Sequence, residues 1–139
     1  MKSIDLQSQD RPEIELSLSG QTWRIRRVVM ASYQYYQALM SGVNQAQVRF
    51  AELQNRLASG KADDTDVVKM QREIASEADK RQDLTYQCIE SILSANGYDF
   101  DRDWWANNSD RHEQHGFIAA ALNKDMQGAP AGKKKEKGA

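Results

Sequence analysis

The first pattern along the chain has a period of two. Glu13-Ile14-Glu15-Leu16-Ser17-Leu18 alternates strictly, which sets Ile14, Leu16 and Leu18 on one face of an extended strand. After Ser19-Gly20-Gln21, the run Thr22-Trp23-Arg24-Ile25-Arg26-Arg27-Val28-Val29 alternates again, with Trp23 and Ile25 opposed to Arg24 and Arg26. Gly20 supplies the positive φ of a tight turn, so residues 13–29 are predicted to form a β-hairpin. A lone hairpin is marginal in water, and its apolar face must therefore cover helices or a partner subunit. Its other face, carrying Arg24 and Arg26 with Arg27 beyond them, reads as cationic and suits an acidic protein surface as well as solvent.

From Ser32 the period changes. Ser32 is placed to cap a helix over about 32–58, in which Tyr36, Leu39, Val43, Ala46, Phe50, Leu53 and Leu57 recur at steps of three and four. Gly42 interrupts this heptad seam at a cost of about 1 kcal/mol relative to Ala, and gives the helix a place where it could bend or break. Ser59-Gly60 is a stop signal. A second helix, about 65–96, starts among the acids Asp64 to Asp66 and carries Val67, Met70, Ile74, Ala78, Leu84, Cys88, Ile89 and Ile92. Its middle, Glu73 to Asp83, is mostly charged. The short polar connection predicts a long antiparallel αα-hairpin whose tip is poor in core.

The run Tyr98-Asp99-Phe100-Asp101-Arg102-Asp103-Trp104-Trp105-Ala106-Asn107-Asn108 is rich in aromatics and acids. Asp110-Arg111-His112-Glu113 has the form of a capping box, and Phe117, Ile118, Ala121 and Leu122 give the next helix one apolar face. The fold class is thus mainly α with a small N-terminal β-hairpin: an αα-hairpin plus a short C-terminal helical segment over about 101–125. Residues 13–127 are expected to form a single domain, between a flexible N-terminus (1–12) and a disordered Lys-rich tail (128–139).

Composition sharpens this picture. The 139 residues suit one domain, with 19 basic against 20 acidic side chains and a net charge of -1. The average hides a division: residues 1–127 hold 15 basic and 19 acidic side chains, and residues 128–139 hold four basic and one acidic. An acidic body disfavours a nucleic-acid partner. No apolar run approaches the roughly 20 residues that span a bilayer, so no membrane partner is expected. The N-terminus lacks an apolar leader, and the single Cys88 permits no internal disulfide, which together favour a cytoplasmic setting.

Candidate chemistry is sparse. His112 and His115 are three apart rather than four and have no third ligand nearby, so a solvated helix start is the better reading than a metal site. Asp99, Asp101 and Asp103 have calcium-loop spacing, but Trp104 stands where the loop needs Gly and Asp110 where it needs Glu. Cys88 on the apolar stripe reads as a small hydrophobe. No catalytic, cofactor-binding or metal set emerges, and an enzyme is not expected. Trp104 and Trp105 either lock the last helix onto the αα-hairpin or anchor a partner, since neighbours on a helix cannot both face fully inward. Trp23 and Phe117 are the further partner-binding candidates.

The segment Tyr98 to Asn108, followed by Phe117-Ile118-Ala119-Ala120-Ala121-Leu122-Asn123-Lys124-Asp125, resembles the small tail assembly chaperones of long-tailed (siphovirus-type) bacteriophages. The general plan is similar too: an N-terminal hairpin, helices, a tryptophan-plus-Asn segment and a short terminal helix. The resemblance implies a non-enzymatic role in the host cytoplasm, with the tape measure protein and tail tube protein as partners. The competing class is a small helical structural or oligomerisation protein, such as a phage DNA-packaging or head-tail accessory subunit, and a homo-oligomer fits either class.

Overall fold

The computed structural model describes residues 13–60 and 63–123; the expected flexible N-terminus (1–12) and Lys-rich tail (128–139) lie outside the described residues. Two strands, β1 (Ile14–Leu18) and β2 (Gln21–Ile25), precede four helices among the described residues: α1 (Met30–Ser59), α2 (Asp64–Ala95), α3 (Arg102–Asn108) and α4 (Arg111–Leu122). The protein is mostly helical, and α1 and α2 pack as an antiparallel helical hairpin.

The strands pair antiparallel with Leu16 opposite Trp23 and Ile14 opposite Ile25. Ser19 (φ 49°) and Gly20 (φ 84°) both take the left-handed region, giving a two-residue turn whose twist matches that of the strands. The inward face, with Trp23 and Ile25 buried, packs on the helices. On the outward face Arg24 meets Glu15 at 3.5 Å and Arg26 meets Glu13 at 3.2 Å. The face that reads as cationic in sequence is therefore balanced by acids on the neighbouring strand.

The alternation predicts a strand running to Val29, but β2 ends at Ile25 because other groups take its amides. The N–H groups of Arg26 and Arg27 donate to Asn96 Oδ1 at 2.8 and 3.1 Å. Asn96 Nδ2 donates in turn to the carbonyls of Arg27 and Ile92 at 2.9 and 2.8 Å. One side chain thus fastens the exit of the hairpin to the end of α2.

The start of α1 also differs from expectation. The helix begins at Met30 with Val29 at the cap position, and Ser32 is buried inside the first turn. Its hydroxyl lies 2.6 Å from Ser91 Oγ, so it joins two helices instead of capping one. Ser91 Oγ donates to the Cys88 carbonyl (2.6 Å), and Cys88 Sγ donates to the Ser32 carbonyl (3.4 Å). These small side chains let α1 and α2 approach closely at the base of the hairpin. Gly42 does not break α1, which runs through it without interruption. A Cβ there would lie 3.3 Å from Arg81 Cγ and 3.4 Å from Cδ, so the glycine gives the Arg81 stem room to cross the helix.

The core is confined to the base. Leu39 of α1 and Tyr86, Cys88, Ile89, Ile92 and Leu93 of α2 are buried with Trp105, Phe117, Ile118, Ala121 and Leu122. Buried residues of α2 begin only at Thr85, and Leu53 is the last in α1. The distal half is joined instead by Arg49, which pairs with Glu73 and, at 3.5 Å, with Glu77. The C-terminal segment forms two helices. Asp101 caps α3 through the amides of Asp103 and Trp104, and Asp110 and Glu113 form the expected capping box at α4.

Replacing Gly42 by Ala removes the glycine penalty of about 1 kcal/mol but makes the Arg81 stem give by a few tenths of an ångström. The expected net change is within about 1 kcal/mol, while Gly42→Leu destabilises by roughly 1–3 kcal/mol through overpacking. Urea unfolding followed by helical circular dichroism measures both.

Candidate functional site

The four residues singled out in sequence come together. Trp23 stacks on Trp105 with centroids 5.2 Å apart, and Trp104 stands edge-on to Trp23 at 5.7 Å and to Trp105 at 5.5 Å. Phe117 meets Trp105 at 5.1 Å and Trp23 at 5.4 Å. Trp105 is 1% exposed, and Trp23 and Phe117 are each 7% exposed. These three rings form the seam between the β-hairpin and the C-terminal helices and present almost no surface to a partner. Trp104 is half-buried and edges a notch of about 240 Å³ that Asp99 and Asp101 also line. Of the four, Trp104 alone keeps appreciable accessible surface.

A larger concavity of about 570 Å³ lies between α1, α2 and α4. Val43, Ala46, Phe50 and Ala51 of α1 and Ile74 of α2 line its apolar part. Phe50 is 48% exposed although it belongs to the heptad seam. The reason is a mismatch between the facing helices: α1 continues its apolar stripe past Val43, while α2 offers the charged stretch Glu73 to Asp83. The two stripes do not cover one another, and an open groove remains where a coiled-coil layer would otherwise close.

Its polar side is drawn from two helices. Arg81, Gln82 and Thr85 come from α2, and Arg111 and His115 from α4. Gln82 Nε2 donates to Gln114 Oε1 at 2.8 Å, Gln114 Nε2 donates to Ser109 Oγ at 3.0 Å, and Ser109 Oγ donates to the Trp105 carbonyl at 2.5 Å. This chain ties the groove wall to the aromatic seam and leaves the buried Gln114 satisfied. Neither Arg81 nor Arg111 has an ion-pair partner among the described residues.

Burial, with added repulsion from Arg111 and His112, lowers the pKa of His115 below its usual 6.5. Its Nε2 lies 3.4 Å from Thr85 Oγ1. Burial pushes the Cys88 thiol up to about 12, so it stays protonated and unreactive in the folded core. Among the described residues, no group of three or more His, Cys, Asp or Glu side chains is arranged to hold a metal ion. None of the helices there is long and apolar enough to cross a membrane.

The groove residues on α2 and α4 escape a linear reading. Arg81 sits in a run that reads as a solvated face, and Arg111 and His115 fall in a capping segment. The signal available in sequence is indirect: an apolar stripe on α1 that outlasts the matching stripe on α2. No protein family, curated protein or solved structure matches the chain.

Trp105→Ala is expected to destabilise the protein by about 3–5 kcal/mol, and Trp104→Ala by clearly less, in chemical denaturation. Equal costs would mean that the two rings are not divided between core and surface. For His115, the unfolded chain takes up a proton before the folded one does, so stability is intact above 6.5 and falls as pH drops from 6.5 towards the folded-state value. His115→Gln should remove that component, seen as a smaller loss of the urea midpoint between about pH 7 and about pH 5.

Proposed function

We propose that this chain is a non-enzymatic tail assembly chaperone of a long-tailed bacteriophage, acting in the host cytoplasm on the tape measure protein and on tail tube subunits. In this reading the groove between α1, α2 and α4 holds a helical segment of the tape measure protein. The observation that carries it is the uncovered seam: Phe50 stands 48% exposed over an apolar floor that α2 leaves open. An amphipathic helix laid in such a groove completes the missing layer of the bundle and removes its own apolar stripe from water. The groove offers apolar contact and positive charge, which suit recognition. The aromatic and Asn-containing segment that resembles the chaperone family forms the support behind α4, and so holds one wall of the groove in place.

Co-expression with a helical segment of the tape measure protein should raise the soluble yield of that segment. Ala51→Trp, at an exposed position lining the groove, should abolish the rescue while leaving circular dichroism and thermal stability close to those of the parent. Rescue that survives Ala51→Trp would place the binding face elsewhere. Absence of rescue and of co-purification with both the tape measure and tail tube proteins would remove the chaperone reading. If Ala51→Trp dissolves a dimer of the protein instead, the groove belongs to a self-association surface.

A further inference from the structure

We infer that the helix received by the groove is acidic: its apolar stripe is flanked by carboxylates that meet Arg81 and Arg111. The inference rests on the groove being the binding site proposed above, and it specifies the chemistry of the occupant. Along α1 the groove runs from Val43 to Gln54, and at 1.5 Å per residue this is about 16 Å, or three helical turns. An occupant of that length presents apolar residues at i, i+3 or i+4, and i+7. Carboxylates one turn away, beside that stripe, face the rim.

Neither rim guanidinium has a carboxylate within ion-pair distance among the described residues, and acids close to them in sequence bond elsewhere. Glu77, one turn before Arg81, pairs with Arg49. Asp83 pairs with Arg102 at 2.7 Å. Asp110 and Glu113, on either side of Arg111, satisfy each other's backbone amides in the capping box. Two guanidinium groups are thus left beside an apolar floor in a chain whose residues 1–127 are acidic overall. The stem of Arg81 lies against Gly42, so less side-chain freedom is lost when its head engages a partner. Guanidinium suits bidentate carboxylate contacts, which strengthen as the apolar floor excludes water. The lysines of residues 133–137 carry the same sign as this rim, which argues against the chain's own tail as occupant.

The test uses the full chain and two fluorescent helical peptides of about 18 residues with the same leucine stripe, one flanked by Glu and the other by Lys. Anisotropy should show the Glu peptide binding at least about 10-fold more tightly at low salt, with the advantage shrinking as salt is raised. Arg81→Gln with Arg111→Gln should erase the preference, and Arg81→Glu with Arg111→Glu should invert it, while Ala51→Trp weakens both peptides. Equal affinities, or a preference for the Lys peptide, with both still weakened by Ala51→Trp, would overturn the acidic-helix inference and leave the groove as the binding site. Absence of binding by either peptide, or binding indifferent to Ala51→Trp, would overturn the inference and the groove reading together. Circular dichroism of each variant confirms that any loss of binding is not loss of fold.

Discussion

Trp23 stacked on Trp105 at 5.2 Å is the contact on which the rest of the fold depends. It joins the β-hairpin to the C-terminal helices, which lie about 80 residues away in the chain, and it carries Phe117 and Trp104 with it. Each such aromatic pair contributes about 0.5–1.5 kcal/mol beyond its burial. A two-stranded hairpin does not persist alone in water, so this seam gives β1 and β2 a surface to cover. Asn96 fixes the other end of the strand pair to α2. With the hairpin held at both places, α4 has one position against α2, and that position brings Arg111 and His115 to the groove.

The αα-hairpin is unevenly built as a result. Its base is closed by aromatic and branched side chains and by the close contact of Ser32, Cys88 and Ser91. Its distal half is held by the ion pairs of Arg49 and by Leu53, with little burial besides. Half-exposed ion pairs contribute little, about 0–1 kcal/mol each. The base therefore supplies most of the stability and the distal half keeps an apolar surface available. This division of labour is what the proposed function draws on: a stiff support carries an incomplete layer, which in that proposal a partner helix would complete.

Much of the architecture is legible in the chain because it follows from local physics. The alternation of Glu13 to Leu18, the Ser19-Gly20 turn, the stop at Ser59-Gly60 and the capping box at Asp110 each act over a few residues, and the structure contains all of them. The same local reasoning misleads where a distant group competes. Ser32 looks like a cap but bonds Ser91; Gly42 looks like a break but accommodates Arg81; Val28 and Val29 look like strand, but Asn96 takes the amides ahead of them. The tryptophans illustrate a related limit, since sequence marks them as anchors without saying of what.

The sequence by itself determined the elements, their order, the long helical hairpin and the poverty of core at its tip, because periodicity, capping and charge runs are properties of neighbouring residues. The tertiary structure decided which of Trp23, Trp104, Trp105 and Phe117 lie inside, leaving Trp104 as the one of the four with surface, and which arginines remain unpaired. Those outcomes turn on partners such as Arg49 with Glu77 and Arg102 with Asp83, which are 28 and 19 positions apart in the chain. Pairing at such distances is fixed by how the helices pack, so no stretch of sequence records it.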